Sequence, residues 1–412
     1  MSNRKNDRRG FRPPRKIEEY WNLYKKDIYI EKPDRRLPPW FLPLLAFLLI
    51  IAVIFWAAPL VLSRLQINLD QDNSNQNQVE YLYDSSYRAV SAPVADVFAA
   101  PDLKSARKAQ ALYNEPVRII DDSPAWGFVE IELLDGTSGF MLIENVSSSR
   151  ESIEPDLYVY QAVVASSAKR IMSHARSGTM LTEVMMGTRL FADYRGDGIL
   201  RVRLPDGEYG WIGEDGVIVI GADEEITMTP DGARYYCSSA MTFHNVTVLD
   251  FGQSRTGVSC EGIARIAGIV NGINLPRDLS EQVLSGEAIE LRYLEPESDD
   301  SDQKDDNEST EAASDEETAE GPPKTAQFDL SILQPADLVF VDDAANPGEA
   351  VSMAIVMENG QFLMEKPGST AIRLVDPAQI PDWTERIIAV RRLYSERSSA
   401  EYQEVDDIPT SS

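Results

Sequence analysis

Residues 259–270 read Ser-Cys-Glu-Gly-Ile-Ala-Arg-Ile-Ala-Gly-Ile-Val, which places a cysteine at the start of an apolar helix. Ile263 and Ile266 recur at helical spacing, and Gly272 is a residue type that ends helices. Unpaired backbone N–H groups at a helix start favour negative charge, so Cys260 stands where a thiolate is stabilised. The stretch therefore predicts a helix whose first residue is a candidate nucleophile.

The composition bounds what the chain can bind. It has 412 residues, of which 43% are apolar, so two or three domains with sizeable cores are expected. A net charge of −28 argues against nucleic acid as a partner, because phosphate contacts need clustered Lys and Arg. The two cysteines (Cys237 and Cys260) and the two histidines (His174 and His244) form no zinc-binding pattern. We expect no metal and no cofactor.

The amino-terminal region has the pattern of a membrane anchor. Residues 1–39 hold 12 Lys/Arg and 6 Asp/Glu, a net charge of +6, and the 23 residues of 40–62 carry no charge. An uncharged run of that length spans a bilayer core of about 30 Å. The positive-inside rule then places residues 1–39 in the cytoplasm and residues 63–412 outside it. A buried core helix and a cleaved signal peptide are the alternatives, and the length and flanks favour an uncleaved anchor in membrane lipid.

After a polar linker at 63–87, one β pattern occurs twice. Asp135-Gly136 follows an apolar run and precedes Gly139-Phe140, and 71 residues later Asp206-Gly207 precedes Gly210-Trp211 in the same way. Asp-Gly between apolar runs is a hairpin signal, and the equal offsets indicate an internal duplication. We call residues 88–147 module 1 and residues 160–220 module 2.

The two modules resemble bacterial SH3-like domains. The resemblance rests on the tandem arrangement, on Trp126-Gly127 within module 1, and on the Gly210-Trp211 pair near the end of module 2. It implies small β-barrels of a kind that often binds peptidoglycan or packs beside a wall hydrolase. Trp126, Phe140 and Trp211 are then candidate ligand-binding residues. The alternative is that these rings are core aromatics that close the barrels, since they bury large apolar areas.

Residues 230–395 have a mixed helix and strand pattern and form a third domain. Asp278 is suited to cap a short helix, and the residues of 333–340 predict a turn that enters a buried strand. Asn359-Gly360 between apolar runs predicts a tight hairpin, and residues 387–393 predict the last strand. An acidic insert at 295–324, with 13 acidic residues and 2 lysines, is expected to be a solvated disordered loop, as is the tail 396–412.

The third domain resembles the NlpC family of bacterial cell-wall cysteine peptidases. Cys260-Glu261-Gly262 is similar to the nucleophile region, Leu275-Pro276-Arg277-Asp278 to a family helix, and Gln334-Pro335-Ala336-Asp337-Leu338 to a strand entry, with Ala336 for the usual glycine. The resemblance implies a papain-like α+β fold. The overall fold class is therefore α+β, with one transmembrane helix and two small barrels before that domain.

The sequence differs from the family pattern at the positions that the resemblance assigns to catalytic residues. The family histidine before the Asn-Gly hairpin is Ser352 here, its later histidine falls near Met364, and its tyrosine before the cysteine is Val248. A serine hydroxyl does not replace an imidazole as ion-pair partner and proton donor near neutral pH. His244 is the one candidate substitute, and it precedes the cysteine by 16 residues. We therefore expect a non-catalytic pseudopeptidase that binds peptidoglycan or a partner protein.

Three interpretations of Cys260 remain open on sequence alone: a small buried residue, a disulfide with Cys237, and a reactive thiol. Glu261 beside it disfavours a second negative charge and raises the thiol pKa. The competing functional hypothesis is an active cysteine peptidase or amidase that cleaves peptidoglycan stem peptides through Cys260 with a rearranged site. A membrane-tethered interaction protein unrelated to the wall is the third.

Overall fold

The computed structural model describes residues 81–294 and 327–394, together with Leu44 and Phe47. The basic arm at 1–39, the acidic insert and the tail lie outside these residues. So does the predicted span at 40–62, apart from Leu44 and Phe47, which are helical. Among the residues that the structure describes, no helix is long and apolar enough to cross a membrane.

Module 1 is a six-stranded antiparallel sheet with the strand order β1-β4-β5-β6-β2-β3. Its strands are β1 (Tyr87–Ala89), β2 (Val94–Phe98), β3 (Arg107–Leu112), β4 (Pro116–Ala125), β5 (Phe128–Leu133) and β6 (Ser138–Leu142). Alternate residues of β5 and β6 are buried, which is the period of a strand with one face on a core. The predicted turn joins β5 to β6, and Gly136 has φ 84° there.

Module 2 repeats this arrangement. Its strands are β7 (Tyr160–Val164), β8 (Ala168–Met172), β9 (Met180–Met185), β10 (Arg189–Gly196), β11 (Ile199–Arg203), β12 (Tyr209–Gly213) and β13 (Val217–Gly221). The order β7-β10-β11-β12-β8-β9 matches module 1 strand for strand, with β13 added beside β7. Gly207, at φ 87°, occupies the turn that Gly136 occupies in module 1. The duplication inferred from the Asp-Gly spacing is thus a duplication of topology.

The third domain places helices against a second kind of sheet, in the order β16-β23-β19-β20-β21-β22. Its elements are α1 (Gly232–Met241), β14 (Gln253–Ser254), β15 (Gly257–Val258), α2 (Cys260–Val270), α3 (Leu279–Gln282), β16 (Glu287–Ala288), β17 (Tyr293–Leu294), β18 (Gln327–Phe328), β19 (Leu338–Val341), β20 (Ser352–Val356), β21 (Phe362–Glu365), β22 (Ile372–Val375), α4 (Pro381–Thr384) and β23 (Ile387–Arg392). Helix α2 contacts α1, β20 and β21. This mixed α+β architecture is the predicted one.

Local features of this domain follow the sequence signals. Asp278 Oδ1 accepts the Ser280 N–H at 2.7 Å and so caps α3, as predicted. The Asn-Gly turn joins β20 to β21, with Gly360 at φ 77°. Asp337 is fully buried and accepts two hydrogen bonds from Arg392, which ties β19 to β23. Ala336 before it has φ 68°, a left-handed conformation that favours the glycine usual in the NlpC family.

The three parts meet at one point on α2. A Cβ added to Gly187 of module 2 would lie 3.0 Å from Ile266 Cδ1 on α2 and 3.3 Å from Leu112 Cδ1 in module 1. Gly187 also has φ 86°, so both the space around it and its left-handed backbone conformation disfavour a residue with a side chain. Module 1, module 2 and the third domain therefore pack into one body around this helix.

Candidate active site

The start of α2 is built by close backbone contacts. Ser259 Oγ accepts the Gly262 N–H at 3.3 Å, which makes Ser259 the N-cap, and the Ser259 N–H donates to the Gly252 carbonyl at 3.1 Å. A Cβ at position 262 would overlap that same carbonyl oxygen. The sequence Ser-Cys-Glu-Gly thus fits this corner because its fourth residue has no side chain.

Cys260 is the first residue of the helix, and its side chain is buried, with 5% of its surface exposed. The sulfur accepts one hydrogen bond among the described residues, from the backbone N–H of Glu365 at the end of β21, at 3.1 Å. Of the three interpretations of this cysteine, the small buried residue agrees with the structure. The disulfide is wrong, because Cys237 and Cys260 are both free thiols.

The surroundings of Cys260 hold the thiol protonated. Burial raises its pKa far above the ordinary value, the carboxylates of Glu261 and Glu365 raise it further, and only the Glu365 amide lowers it. Burial also raises the pKa of Glu261, together with the nearby charges of Asp250 and Asp278. The favourable field of the helix start is therefore outweighed by desolvation and by a group of like charges.

The three substituted positions lie on β20, on β21 and in the segment before β14. Ser352 begins β20 and is half-buried, and Met364 in the neighbouring antiparallel strand is fully buried. Met364 pairs with Ala354, so Ser352 and Met364 share a face of the sheet, and the residue after Met364 donates its N–H to the Cys260 sulfur. Val248 forms a bridge with Val258, two residues before the cysteine. That these residues stand at the positions of the family's reactive side chains stays a prediction from the resemblance.

Neither histidine replaces the missing imidazole. His174 lies in an exposed loop of module 2, where its Nδ1 is 2.9 Å from Ser173 Oγ. His244 is half-buried after α1, with its Nδ1 3.2 Å from Asn245 Nδ2. Within the described part of the chain, neither ring is hydrogen-bonded to Cys260. No group of His, Cys, Asp and Glu side chains there is arranged to hold a metal ion.

The other thiol is also buried. Cys237 on α1 is 2% exposed, and its sulfur donates to the Val356 carbonyl at 3.5 Å. Burial raises the pKa of Cys237 to about 11. It belongs to the packing between α1 and the sheet.

The three candidate aromatic residues of the modules lie at separate places. Trp126 is at the tip of the β4–β5 hairpin with 91% of its surface exposed, so the core interpretation is wrong for this residue. Phe140 on β6 pairs with Phe98. Trp211 on β12 is half-buried and makes an edge contact with Tyr194, with ring centroids 5.8 Å apart. Trp126 is thus the most accessible of the three.

A buried charge network, which the sequence did not reveal, fixes module 1 to the third domain. The side chain of Arg277 is 6% exposed, and it binds Glu115 Oε1 at 2.5 Å and Asp135 Oδ2 at 2.7 Å, both in module 1. Arg265 Nη2 on α2 lies 3.6 Å from the same Glu115 oxygen. Arg265 is the one basic residue of the otherwise mostly apolar helix α2, which is the sequence signal that a buried partner was needed.

Asp135 also shows how the two modules differ. Its Oδ1 accepts the Thr137 N–H at 2.9 Å, just as Asp206 Oδ1 accepts the Glu208 N–H at 2.9 Å in module 2. Only Asp135 adds an arginine partner on its second oxygen. The turn aspartate therefore stabilises only its own turn in module 2, whereas in module 1 it also binds the third domain.

No protein-family profile matches the chain, and no curated protein matches it either. An NlpC/P60 family protein from Bacillus cereus superposes on it with a TM-score of 0.57, at 16% identity, over 74% of this chain and 99% of that one. The fold is that of an NlpC/P60 protein.

Two more distant structures have related names. An NlpC/P60 endopeptidase from Photobacterium damselae gives a TM-score of 0.43, at 12% identity, over 80% of this chain and 71% of that one. NlpC1 from Trichomonas vaginalis gives 0.34, at 16% identity, over 78% and 98%. The Bacillus cereus superposition confirms the predicted NlpC-type fold, whereas the SH3-like classification of the modules and the domain boundaries stay predictions.

Proposed function

We propose that this chain is a non-catalytic NlpC/P60-like protein of the cell envelope that binds peptidoglycan or a partner protein. The observation that carries the proposal is the state of Cys260. Its thiol is buried, it is surrounded by carboxylates, and among the described residues it accepts its only hydrogen bond from a backbone amide. The fold retains the place of a nucleophile without the groups that would activate it.

The chemical requirement is specific. A cysteine peptidase needs a thiolate to attack the carbonyl and an acid to protonate the leaving amine. An imidazole supplies the ion-pair partner and the proton, and general acid–base help is worth roughly 10²–10⁴ in rate. Ser352 and Met364 supply neither at the two family positions. We therefore propose that binding, and not cleavage, is the selected activity.

The proposed location is the outer face of a membrane. The basic arm at 1–39 and the uncharged stretch at 40–62 support an anchor with a cytoplasmic amino terminus. Residues 63–412 would then face the envelope. A wall polymer or an envelope protein is the partner that this orientation makes available.

The modules supply the proposed binding surface, in line with their SH3-like pattern. Trp126 projects into solvent, and on module 2 Tyr209 is 40% exposed beside Arg201 and Arg203, whose guanidinium carbons lie 5.0 and 4.8 Å from its ring centroid. Exposed aromatic rings and arginines are residue types that are enriched at binding sites. Trp211 lies on the strand that carries Tyr209.

Sedimentation with purified, insoluble peptidoglycan tests the wall part of this proposal. We expect full-length protein to pellet with the polymer, and the Trp126→Ala/Trp211→Ala double variant to pellet at least about tenfold less, as expected for loss of hot-spot rings. Leu284→Ala is the matched control, because Leu284 is 74% exposed in the third domain. Full-length protein that stays in the supernatant rules out wall binding, and a co-purifying envelope protein then supports the partner alternative.

The retained cysteine at a helix start favours one other function, a working thiol peptidase or amidase with a rearranged site. It requires Cys260 to become exposed and charged when substrate binds. Comparison of the wild-type protein with Cys260→Ala on peptidoglycan fragments decides between the two.

A further inference from the structure

A cavity of about 660 Å³ lies where module 1, module 2 and the third domain meet. Its walls come from the β3–β4 turn, the start of β10, the segment after β13 and the far side of α2. Cys260 does not line it, since the cavity begins one turn further along the helix at Arg265. Its volume is within the range of about 300–1,000 Å³ that small-ligand sites occupy.

The floor of the cavity holds a cation with unused donors. Arg265 Nη1 donates to Gln253 Oε1 at 2.6 Å, and its nearest carboxylate oxygen, on Glu115, is 3.6 Å away, beyond hydrogen-bond distance. Glu115 is already engaged by Arg277 at 2.5 Å. Burial, together with the neighbouring charge of Arg277, lowers the pKa of Arg265 to about 10. A ligand carboxylate would supply the counter-charge that the protein leaves incomplete.

Two buried polar atoms in the lining of this cavity have no hydrogen-bond partner among the described residues. Asn114 is 3% exposed and Thr188 is 1% exposed, both line the cavity, and the unpaired atoms are Asn114 Oδ1 and Thr188 Oγ1. The Asn114 amide is held in place, since its Nδ2 donates to the Ser152 carbonyl at 2.9 Å and to the Arg189 carbonyl at 3.1 Å. Buried polar groups are rarely left unpaired, so these atoms point to a ligand with polar groups along its length.

The rim of the cavity has the opposite charge to its floor. Asp223, Glu224 and Glu225 are consecutive, exposed and part of the lining. Glu224 Oε2 accepts the Gly221 N–H at 2.8 Å, which holds this carboxylate near the end of β13. An acidic rim disfavours a polyanion, and an arginine floor disfavours a simple cation.

We propose that this cavity binds a short zwitterionic peptide, with its carboxylate on Arg265, its amide groups on Asn114 and Thr188, and its ammonium at the acidic rim. A peptide has the two terminal charges in the order that the cavity presents them, with donors and acceptors between. The site is independent of the wall-binding proposal, because intact peptidoglycan and a free tripeptide probe different surfaces.

Calorimetric titration of the full-length protein with tri-L-alanine tests this site. We expect binding at millimolar or lower concentration, and at least about tenfold weaker binding of the N-acetylated and C-amidated forms, since each cap removes one terminal charge. Thr188→Val keeps the shape and should weaken binding about fivefold or more. Arg265→Gln should weaken it further and also reduce the difference between the free and amidated peptides.

Arg255→Gln, which removes an arginine paired with Glu183 outside the cavity, is the control and should leave the affinity unchanged. No binding up to about 10 mM peptide, or equal affinity for the three peptides, would overturn the inference. So would Thr188→Val and Arg265→Gln proteins that bind as tightly as the wild type. Because Thr188→Val removes no charge and little volume, its result stands even if Arg265→Gln fails to fold.

Discussion

Charged side chains are arranged differently at two places near helix α2, the interface with module 1 and the start of the helix. On the side that faces module 1, Arg277 and Arg265 are matched by Glu115 and Asp135 within 2.5–3.6 Å. At the start of the same helix, Cys260 has carboxylates as its charged neighbours and a backbone amide as its hydrogen-bond partner. In the first region each carboxylate faces an arginine, whereas in the second the neighbouring carboxylates disfavour the thiolate on which peptidase chemistry would depend.

The comparison distinguishes the residues that hold the fold together from the residues that would activate a thiol for catalysis. The structure contains the contacts that hold the domain together: the Ser259 cap and the Gly252–Gly262 approach at the helix, and the buried Asp337–Arg392 pair in the sheet. The resemblance predicts that the positions that would activate the thiol hold a serine, a methionine and a valine. The proposed non-catalytic role rests on that prediction and on the burial of Cys260.

The largest expected effect is on the network around Arg277. Arg277→Met leaves the largely buried Glu115 carboxylate and the partly exposed Asp135 carboxylate without their main cation, and breaking a buried pair costs about 3–5 kcal/mol. We expect a loss of that size in the free energy of unfolding from guanidinium titration. Arg255→Met is the control, because the exposed Arg255–Glu183 pair should be worth less than about 1 kcal/mol. Similar losses in the two variants would show that the network is not what fixes module 1.

The next effect concerns the corner that positions Cys260. Gly262→Ala forces a methyl group against the Gly252 carbonyl, and overpacking of this kind costs about 1–3 kcal/mol. Gly213→Ala is the matched change, since a Cβ there meets only Lys169 Nζ at 3.9 Å. Thermal unfolding of the two variants measures the difference. An unchanged melting temperature for Gly262→Ala would contradict the close contact.

Acidification should weaken the same network. Although burial alone would raise them, the pKa values of Glu115 and Asp135 are lowered by the arginines that bind them. Carboxylates with a depressed pKa stabilise the fold above their unfolded-state pKa and lose that contribution as the pH falls through the folded value. We expect a loss on the order of 1–2 kcal/mol as the pH drops below about 4. Denaturant titrations across this range should show a shallower slope for Glu115→Gln, and an identical slope would argue against the pairing.

The smallest expected effects are at the thiol. With a raised pKa, the alkylation rate of Cys260 should keep rising with pH up to about pH 9, without the plateau of an activated cysteine. Glu261→Gln removes one neighbouring carboxylate and should speed alkylation by less than about tenfold. Ser352→His together with Met364→His should lower the pH at which alkylation begins. Peptide-level mass spectrometry separates Cys260 from Cys237, and a plateau near neutral pH in the wild type would contradict a protonated thiol.

The sequence predicted the third domain well because its signals are local. The Asn359-Gly360 turn, the Asp278 cap and the helix from Cys260 each depend on a few adjacent residues, and the structure contains all three. The assignment of Ser352 and Val248 to family positions, made by counting along a resembling pattern, stays a prediction. The predicted span at 40–62 and the acidic insert lie outside the described residues, so they stay predictions.

What the sequence did not reveal depends on distant pairs. Arg277 matched a family motif, but its partners Glu115 and Asp135 are more than 140 residues away. The burial of Cys260 likewise depends on β21, 105 residues further along the chain. The exposed tip position of Trp126 depends on where the β4–β5 hairpin ends, which composition does not specify.

The most direct measurement is digestion of purified peptidoglycan fragments by the full-length protein, with Cys260→Ala as its pair, followed by mass spectrometry of the products. A non-catalytic role predicts unchanged fragments with both proteins, while both still bind the intact polymer. Stem-peptide cleavage by the wild-type protein that is lost in Cys260→Ala would contradict it, and would show that the thiol is activated despite its carboxylate neighbours.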